Sequence, residues 1–238
     1  AAQGGSIVGR LIETRVEPAP PYAAILGAGT RADATLWPTH AHMISTAEAA
    51  QAAEWRPTPA GWQHLVPGVD VGTHCTKLRY VAEIETNANA DDIDQARAAG
   101  VVAELESAYR AAGPVVPVTA EAVADALVIM RRQHASMRYA ERLCGGRLRG
   151  HAAPVMAPHW ADGDIVLGPG RSGGYGLVDV KTVSRSTLTD TEKVTRWLWQ
   201  LLSYAAADEE EDLWRIRALG LWLPRQDVLM MWRKDELW

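Results

Sequence analysis

Ala161-Asp162-Gly163-Asp164-Ile165-Val166-Leu167, followed by Leu177-Val178-Asp179-Val180-Lys181-Thr182, is the stretch on which the reading of this chain turns. An acidic residue opens the first apolar run. In the second, an acidic residue stands two positions before a lysine. Strand side chains alternate between faces, so Asp179 and Lys181 share one face while Val178, Val180 and Thr182 share the other. The apolar neighbours of Asp179 are those a buried central strand requires. Two carboxylates and an ammonium on rigid strands suit a divalent cation held beside a phosphodiester. The competing reading of Asp179 and Lys181 is a same-face ion pair on a solvated strand.

Composition sets the bounds. The 238 residues suffice for one large domain or two small ones, and a hydrophobic content of 47% supplies an ordinary core. No run of about 18 apolar residues occurs, so no membrane partner is expected. No charged segment followed by an apolar one opens the chain, so no secretory leader is expected. Cys75 and Cys144 are too few for a disulfide framework or a four-cysteine metal cluster. The expectation is a reduced, cytoplasmic compartment. A net charge of −5 argues against a polyanionic partner, but the charge is uneven. Residues 119–150 carry Arg131, Arg132, Arg138, Arg142, Arg147 and Arg149 against Glu121, Asp125 and Glu141. The run Asp208-Glu209-Glu210-Glu211-Asp212 reads as a solvated loop without a chemical role.

The first 90 residues are rich in proline and sustain no period; within them, 6–16 and 77–85 read as strands. A helix over 91–112 is capped by Asp91 or Asp92 and stopped by Gly113-Pro114, and a second runs over 119–144 from Thr119 to Gly145-Gly146. Strands follow over 148–156, 163–167 and 177–183. A helix over 189–207 and a closing hairpin of 214–223 with 228–232 complete the chain. From residue 119 the order is α-β-β-β-α-β-β. Residues 1–118 are an N-terminal region of unknown role, and 119–238 form the core. The glycine-rich segment 168–176 lacks a following Gly-Lys-Ser/Thr and is followed by a strand, so it is neither a phosphate loop nor a dinucleotide fingerprint. No ATP-binding motif occurs, so a helicase or other assembly partner would be a separate chain.

Asp164 before one strand, Asp179-Val180-Lys181 on the next, and Gln200-Leu201-Leu202-Ser203-Tyr204 on the following helix form a spaced set. In this set the C-terminal half resembles the PD-(D/E)xK nuclease superfamily, and within it the RecB-like exonuclease branch, which carries a Q-x-x-x-Y signature. The resemblance spans roughly residues 119–238. It implies an α/β fold with a restriction-endonuclease-like core, a mixed central sheet flanked by helices, here with an extra N-terminal region.

The resemblance also implies roles. Asp164, Asp179 and the carbonyl of Val180 would hold Mg²⁺ or Mn²⁺, and Lys181 would orient the attacking water and offset transition-state charge. Gln200 and Tyr204, one helical turn apart, would support the site and the DNA strand. Alternatively, Tyr204 packs in the core and Gln200 bonds a backbone carbonyl. The family adds a ligand from the helix before the strands. Here His134 and Glu141 both qualify, seven residues apart on one stripe, with Arg131 and Arg138 beside them for phosphate contact. Asp162 competes with Asp164, which the apolar run Ile165-Val166-Leu167 favours. His40, His42, His64, His74 and Cys75 match no zinc spacing, and two cysteines cannot hold the iron–sulfur cluster of some relatives. The expected activity is metal-dependent hydrolysis of single- or double-stranded DNA, of exonuclease type and fitted to DNA repair. The alternative is a catalytically silent nucleic-acid- or protein-binding module in a phage, repair or defence assembly.

Overall fold

The apolar run 175–180 forms a strand bonded on both sides, as a buried strand with few polar side chains must be. The structure, a computed structural model, describes residues 2–17, 21, 24, 76–85, 87–111, 117–157, 161–170, 173–211 and 214–237. His40, His42, His64, His74 and Cys75 lie outside them. The helices are α1 (Ala2–Val16), α2 (Thr76–Glu85), α3 (Asp92–Ala111), α4 (Ala120–Arg131), α5 (Ala135–Leu143), α6 (Arg185–Leu188), α7 (Thr191–Glu211) and α8 (Lys234–Leu237). The strands are β1 (Gly150–Ala152), β2 (Val155–Ala157), β3 (Ala161–Asp162), β4 (Ile165–Leu167), β5 (Tyr175–Val180), β6 (Ile216–Leu223) and β7 (Val228–Arg233). Two units divide the chain: Ala1–Leu11 with Pro18–Leu127, and Ile12–Glu17 with Val128–Trp238. The second therefore takes in the end of α1 as well as the C-terminal half.

The second unit is mixed α/β. Its five-stranded sheet runs β1-β4-β5-β6-β7, with β2 and β3 paired separately. β1, β4 and β5 are antiparallel neighbours, while β5 and β6 are parallel. A parallel pair needs a crossover, and α7 supplies it. Leu201 and Ala205 of α7 are buried against Val166, Leu177, Leu219 and Leu221 of the sheet. β6 and β7 close as a hairpin over the 3₁₀ turn Pro224–Gln226. Among the described residues no helix is long and apolar enough to cross a membrane.

Several expected caps are present. Asp91 Oδ1 accepts the Asp94 N–H (2.8 Å), Thr119 Oγ1 that of Ala122 (3.2 Å) and Asp190 Oδ1 that of Lys193 (3.2 Å). Gly145 (φ 84°) and Gly146 (φ 111°) end α5 in the left-handed region that favours glycine.

Three expectations fail. Segments 6–16 and 77–85 are helical. In the first, the buried Ile7, Val8, Leu11 and Ile12 recur at helical spacing. In the second, the apparent alternation is too short to fix a period, and α2 instead brings Glu85 to Arg10, joined by two buried bonds of 2.9 and 2.7 Å. The acidic run 208–212 is not all solvated loop. Asp208 is buried on α7 and accepts the N–H groups of Trp214 (2.7 Å) and Ile216 (2.9 Å), steering the chain into β6.

The helix expected over 119–144 breaks between Arg131 and Ala135. Asp227, in the β6–β7 turn, accepts the N–H groups of Ala135 (2.8 Å), Ser136 (2.9 Å) and His134 (3.2 Å) and the Ser136 hydroxyl (2.6 Å). It caps α5 from 91 to 93 residues away in sequence. The buried Gln133 completes the joint. Its amide donates to the Pro224 carbonyl and its Oε1 accepts from Trp222 Nε1 (3.1 Å). Burial alone would raise the Asp227 pKa, but the bonds from Ser136, Ala135 and His134 outweigh it and hold the carboxyl below its ordinary value.

Asp227→Ala should therefore destabilise the second unit by about 1–2 kcal/mol, the usual worth of a helix cap. Asp227→Asn, which keeps an acceptor and tolerates the left-handed φ of 52°, should cost less. Urea unfolding measures both. Because the folded pKa lies below the ordinary 3.8, the wild-type margin over Asp227→Asn is present above that value and is lost as pH falls through the folded one.

Candidate active site

The end of β5 carries the chemistry. Lys181 lies one residue beyond the strand, but its N–H still bonds the Trp222 carbonyl (2.8 Å), so the extended backbone persists. Alternation then puts Asp179 and Lys181 on one face. The ammonium sits 2.8 Å from each carboxylate oxygen of Asp179. Only Oδ1 is aligned for a hydrogen bond. Among the described residues the buried Oδ2 has no aligned hydrogen-bond donor. Asp179 is only 5% exposed, which a solvated strand face would not produce.

Asp164 comes to the same place through sheet register. Ile165 pairs with Val178, and continuing that ladder by one residue sets Asp164 opposite Asp179. Asp164 Oδ2 accepts the Val180 N–H at 2.6 Å. The observed role of Val180 is thus a backbone donor to Asp164. Burial pushes the Asp164 pKa well above its ordinary 3.8, and the charges of Asp179 and Glu13 push it further. Lys181 and the Val180 N–H oppose this without prevailing. Asp162 instead lies on β3, in the separate two-stranded ladder.

The sequence reading does not single out Glu13, because a strand over 6–16 leaves it without a partner. As a helix, α1 puts Glu13 and Glu17 one turn apart, about 5.4 Å along the axis. Glu17 Oε2 meets His151 Nδ1 at 2.9 Å. The His151 ring is steadied by Trp214 (5.1 Å) and Tyr175 (5.9 Å). His151 pairs with Val166, two residues past Asp164 on the same strand face. Two strand residues rise about 6.6 Å, nearly one helical turn. The Glu17–His151 pair thus holds the end of α1 at β1, and the charge of Glu13, one turn earlier, acts on Asp164.

The other expected residues fall as follows. His134 is exposed and serves as the N-cap position of α5, and Glu141 is half-buried in that helix. Neither is among the groups whose charge acts on Asp164, and Glu13 is. Arg131 ends α4 and Arg138 lies on α5, both exposed. On α7, Gln200 Nε2 donates to the Tyr204 hydroxyl at 2.8 Å, and Tyr204 packs against the sheet core. Gln200 and Tyr204 are thus joined to each other, with the tyrosine partly in the core.

The donor set fits a hard cation. Asp164, Asp179 and Glu13 offer carboxylate oxygens, and the orphaned, buried Oδ2 of Asp179 is an acceptor that a cation would satisfy. Among the described residues no group of three or more His, Cys, Asp or Glu side chains is placed to hold a metal ion by itself. Mg²⁺ does not require one, since it keeps several waters and binds through one or two carboxylates. No protein-family model, curated protein or solved structure matches the chain.

Crowded carboxylates make a stability prediction. The Asp164 pKa is raised above its ordinary 3.8, so its contribution is fully present below 3.8 and is lost as pH rises through the folded value. In metal-free buffer, Asp164→Asn should match the wild type at acid pH and melt higher near neutral pH. A melting-temperature profile against pH in chelator tests this; parallel curves for the two proteins would refute it.

Proposed function

We propose that the chain is a Mg²⁺- or Mn²⁺-dependent nuclease that hydrolyses DNA phosphodiester bonds, with a restriction-endonuclease-like core of the RecB-like kind. One observation carries this reading: Asp164 and Asp179, from different strands, meet beside Lys181 with a buried carboxylate oxygen left unsatisfied. Each of two neighbouring carboxylates raises the cost of ionising the other, a cost that a bound divalent cation would remove.

The residues divide the work. Asp164 and Asp179 would hold the metal, with Glu13 as the ligand from a helix in place of His134 or Glu141. The bound metal would supply Lewis-acid polarisation of the phosphate and a more acidic water. The Val180 N–H and the Glu17–His151 pair orient the carboxylates that bind it. Lys181 offers a mobile positive charge that can leave Asp179 to orient the water or offset charge on the phosphoryl oxygens. The Gln200–Tyr204 pair fixes the tyrosine hydroxyl at the flank of α7, where it can donate to a strand. The parallel β5–β6 pair keeps this set on rigid elements.

A second reading is a nuclease-like module that binds without cutting. The observation in its favour is the closed Asp179–Lys181 ion pair, which occupies ligand oxygens.

The test is incubation of linear and circular DNA, single- and double-stranded, with Mg²⁺ or Mn²⁺. Degradation confined to linear molecules is expected, consistent with an exonuclease. Asp179→Asn should abolish it, and Lys181→Ala should slow it about 10²–10³-fold, the usual cost of one transition-state donor, while DNA binding is kept. Glu13→Gln should lose both cleavage and the rise in melting temperature on adding Mn²⁺, and His134→Ala should retain both. Cleavage that is absent in every condition, or insensitive to Asp179→Asn, would move the assignment to the binding module.

A further inference from the structure

We propose that the exposed arginines of 131–149 form a phosphate track that holds duplex DNA outside the catalytic centre, well beyond Arg131 and Arg138. The proposal rests on the nuclease reading for its choice of polyanion.

Residues 128–150 contain Arg131, Arg132, Arg138, Arg142, Arg147 and Arg149 but a single acid, Glu141, in a chain whose net charge is −5. All six arginines are exposed. Among the described residues none of them has a carboxylate partner. Several basic side chains elsewhere do: Lys193 with Asp190, Arg196 with Glu192, Arg233 with Asp235 and Lys234 with Glu209. Asp227, which meets the start of α5, is spent on the backbone of that helix. An uncompensated surface of one sign is retained against its self-repulsion when a partner of opposite sign neutralises it.

The surface is rigid as well as charged. Gln133, Trp222 and Asp227 clamp the joint between Arg132 and α5 to the β6–β7 hairpin. At the other end the buried Cys144 thiol donates to the Arg149 carbonyl (3.2 Å). Arg138 and Arg142 stand one turn apart on α5, and the Arg142 guanidinium lies 5.6 Å from the Tyr139 ring centre, which limits its rotamers. The nine residues of α5 cover about 13 Å, the axial rise of about four phosphates on one strand. Arginine rather than lysine throughout suits bidentate capture of phosphate oxygens.

The experiment compares the wild type with Arg142→Ala/Arg147→Ala/Arg149→Ala and the matching triple lysine variant, after urea unfolding shows all three equally folded. Binding of a labelled DNA duplex is measured in chelator across a salt series. The alanine variant should bind more weakly, and its log K against log salt should flatten by about 0.9 for each phosphate contact removed. The lysine variant should keep the wild-type slope. Hydrolysis of bis(p-nitrophenyl) phosphate, too small to reach the track, should be unchanged in both. An unaltered slope in the alanine variant would overturn the track. So would displacement of the duplex by polyglutamate as readily as by unlabelled duplex, since the surface would then favour an acidic polypeptide. A flattened slope in a protein that hydrolyses no diester would leave the track standing and remove the nuclease reading instead.

Discussion

Repulsion among Asp164, Asp179 and Glu13 is the constraint around which the second unit is arranged. Asp164 and Asp179 meet where burial already penalises charge, and the charge of Glu13 adds to that penalty. Two devices offset the cost within the chain: the Lys181 ammonium against Asp179, and the Val180 N–H against Asp164. Neither suffices, since the Asp164 pKa remains raised and the Asp179 Oδ2 remains without an aligned donor among the described residues. The rest of the unit must hold the cluster against this repulsion. Ladder bonds on both sides of β5, the apolar contact with α7 and the Glu17–His151 pair do so. Stability is given up at one point, as is common where a site is kept ready for a ligand.

The centre of the sheet was legible because its signals are local. A strand buried on both faces reads as an apolar run, so β4 and β5 stand out, and Asp179 and Lys181 share a face by alternation alone. Caps at Asp91, Thr119 and Asp190 are local too, each bonding a backbone N–H three residues on. The register of Asp164 against Asp179 is a step further, yet it follows once two antiparallel strands meet at a short connection.

What was illegible depends on residues far apart in sequence. Nothing near residue 134 announces that the helix restarts there; the cap is Asp227, in a turn beyond the last crossover. The stripe joining Arg131, His134, Arg138 and Glu141 assumed one continuous helix, which the break before Ala135 removes. Asp208 looked like one charge in a solvated run until Trp214 and Ile216 turned back to it. Glu13 is the sharpest case. The spacing of Ile7, Val8, Leu11 and Ile12 already fits a helix face, but three glycines and a serine in the first nine residues weaken the helical signal.

The same long-range dependence bears on how the helix ligand should be understood. Asp164 and Asp179 sit on neighbouring strands, so any fold that forms the β4–β5 ladder forms their pair. Glu13 precedes them by about 150 residues and belongs to a helix whose first part lies in the other unit. The Glu17–His151 contact, one turn on, ties that helix end to the sheet. Any contribution of Glu13 therefore depends on a contact outside the sheet, while the strand pair depends on the ladder alone. A cation held by two strand carboxylates alone would bind weakly, and one that recruits Glu13 would in turn favour docking of α1, because binding to the docked state lowers its free energy by linkage.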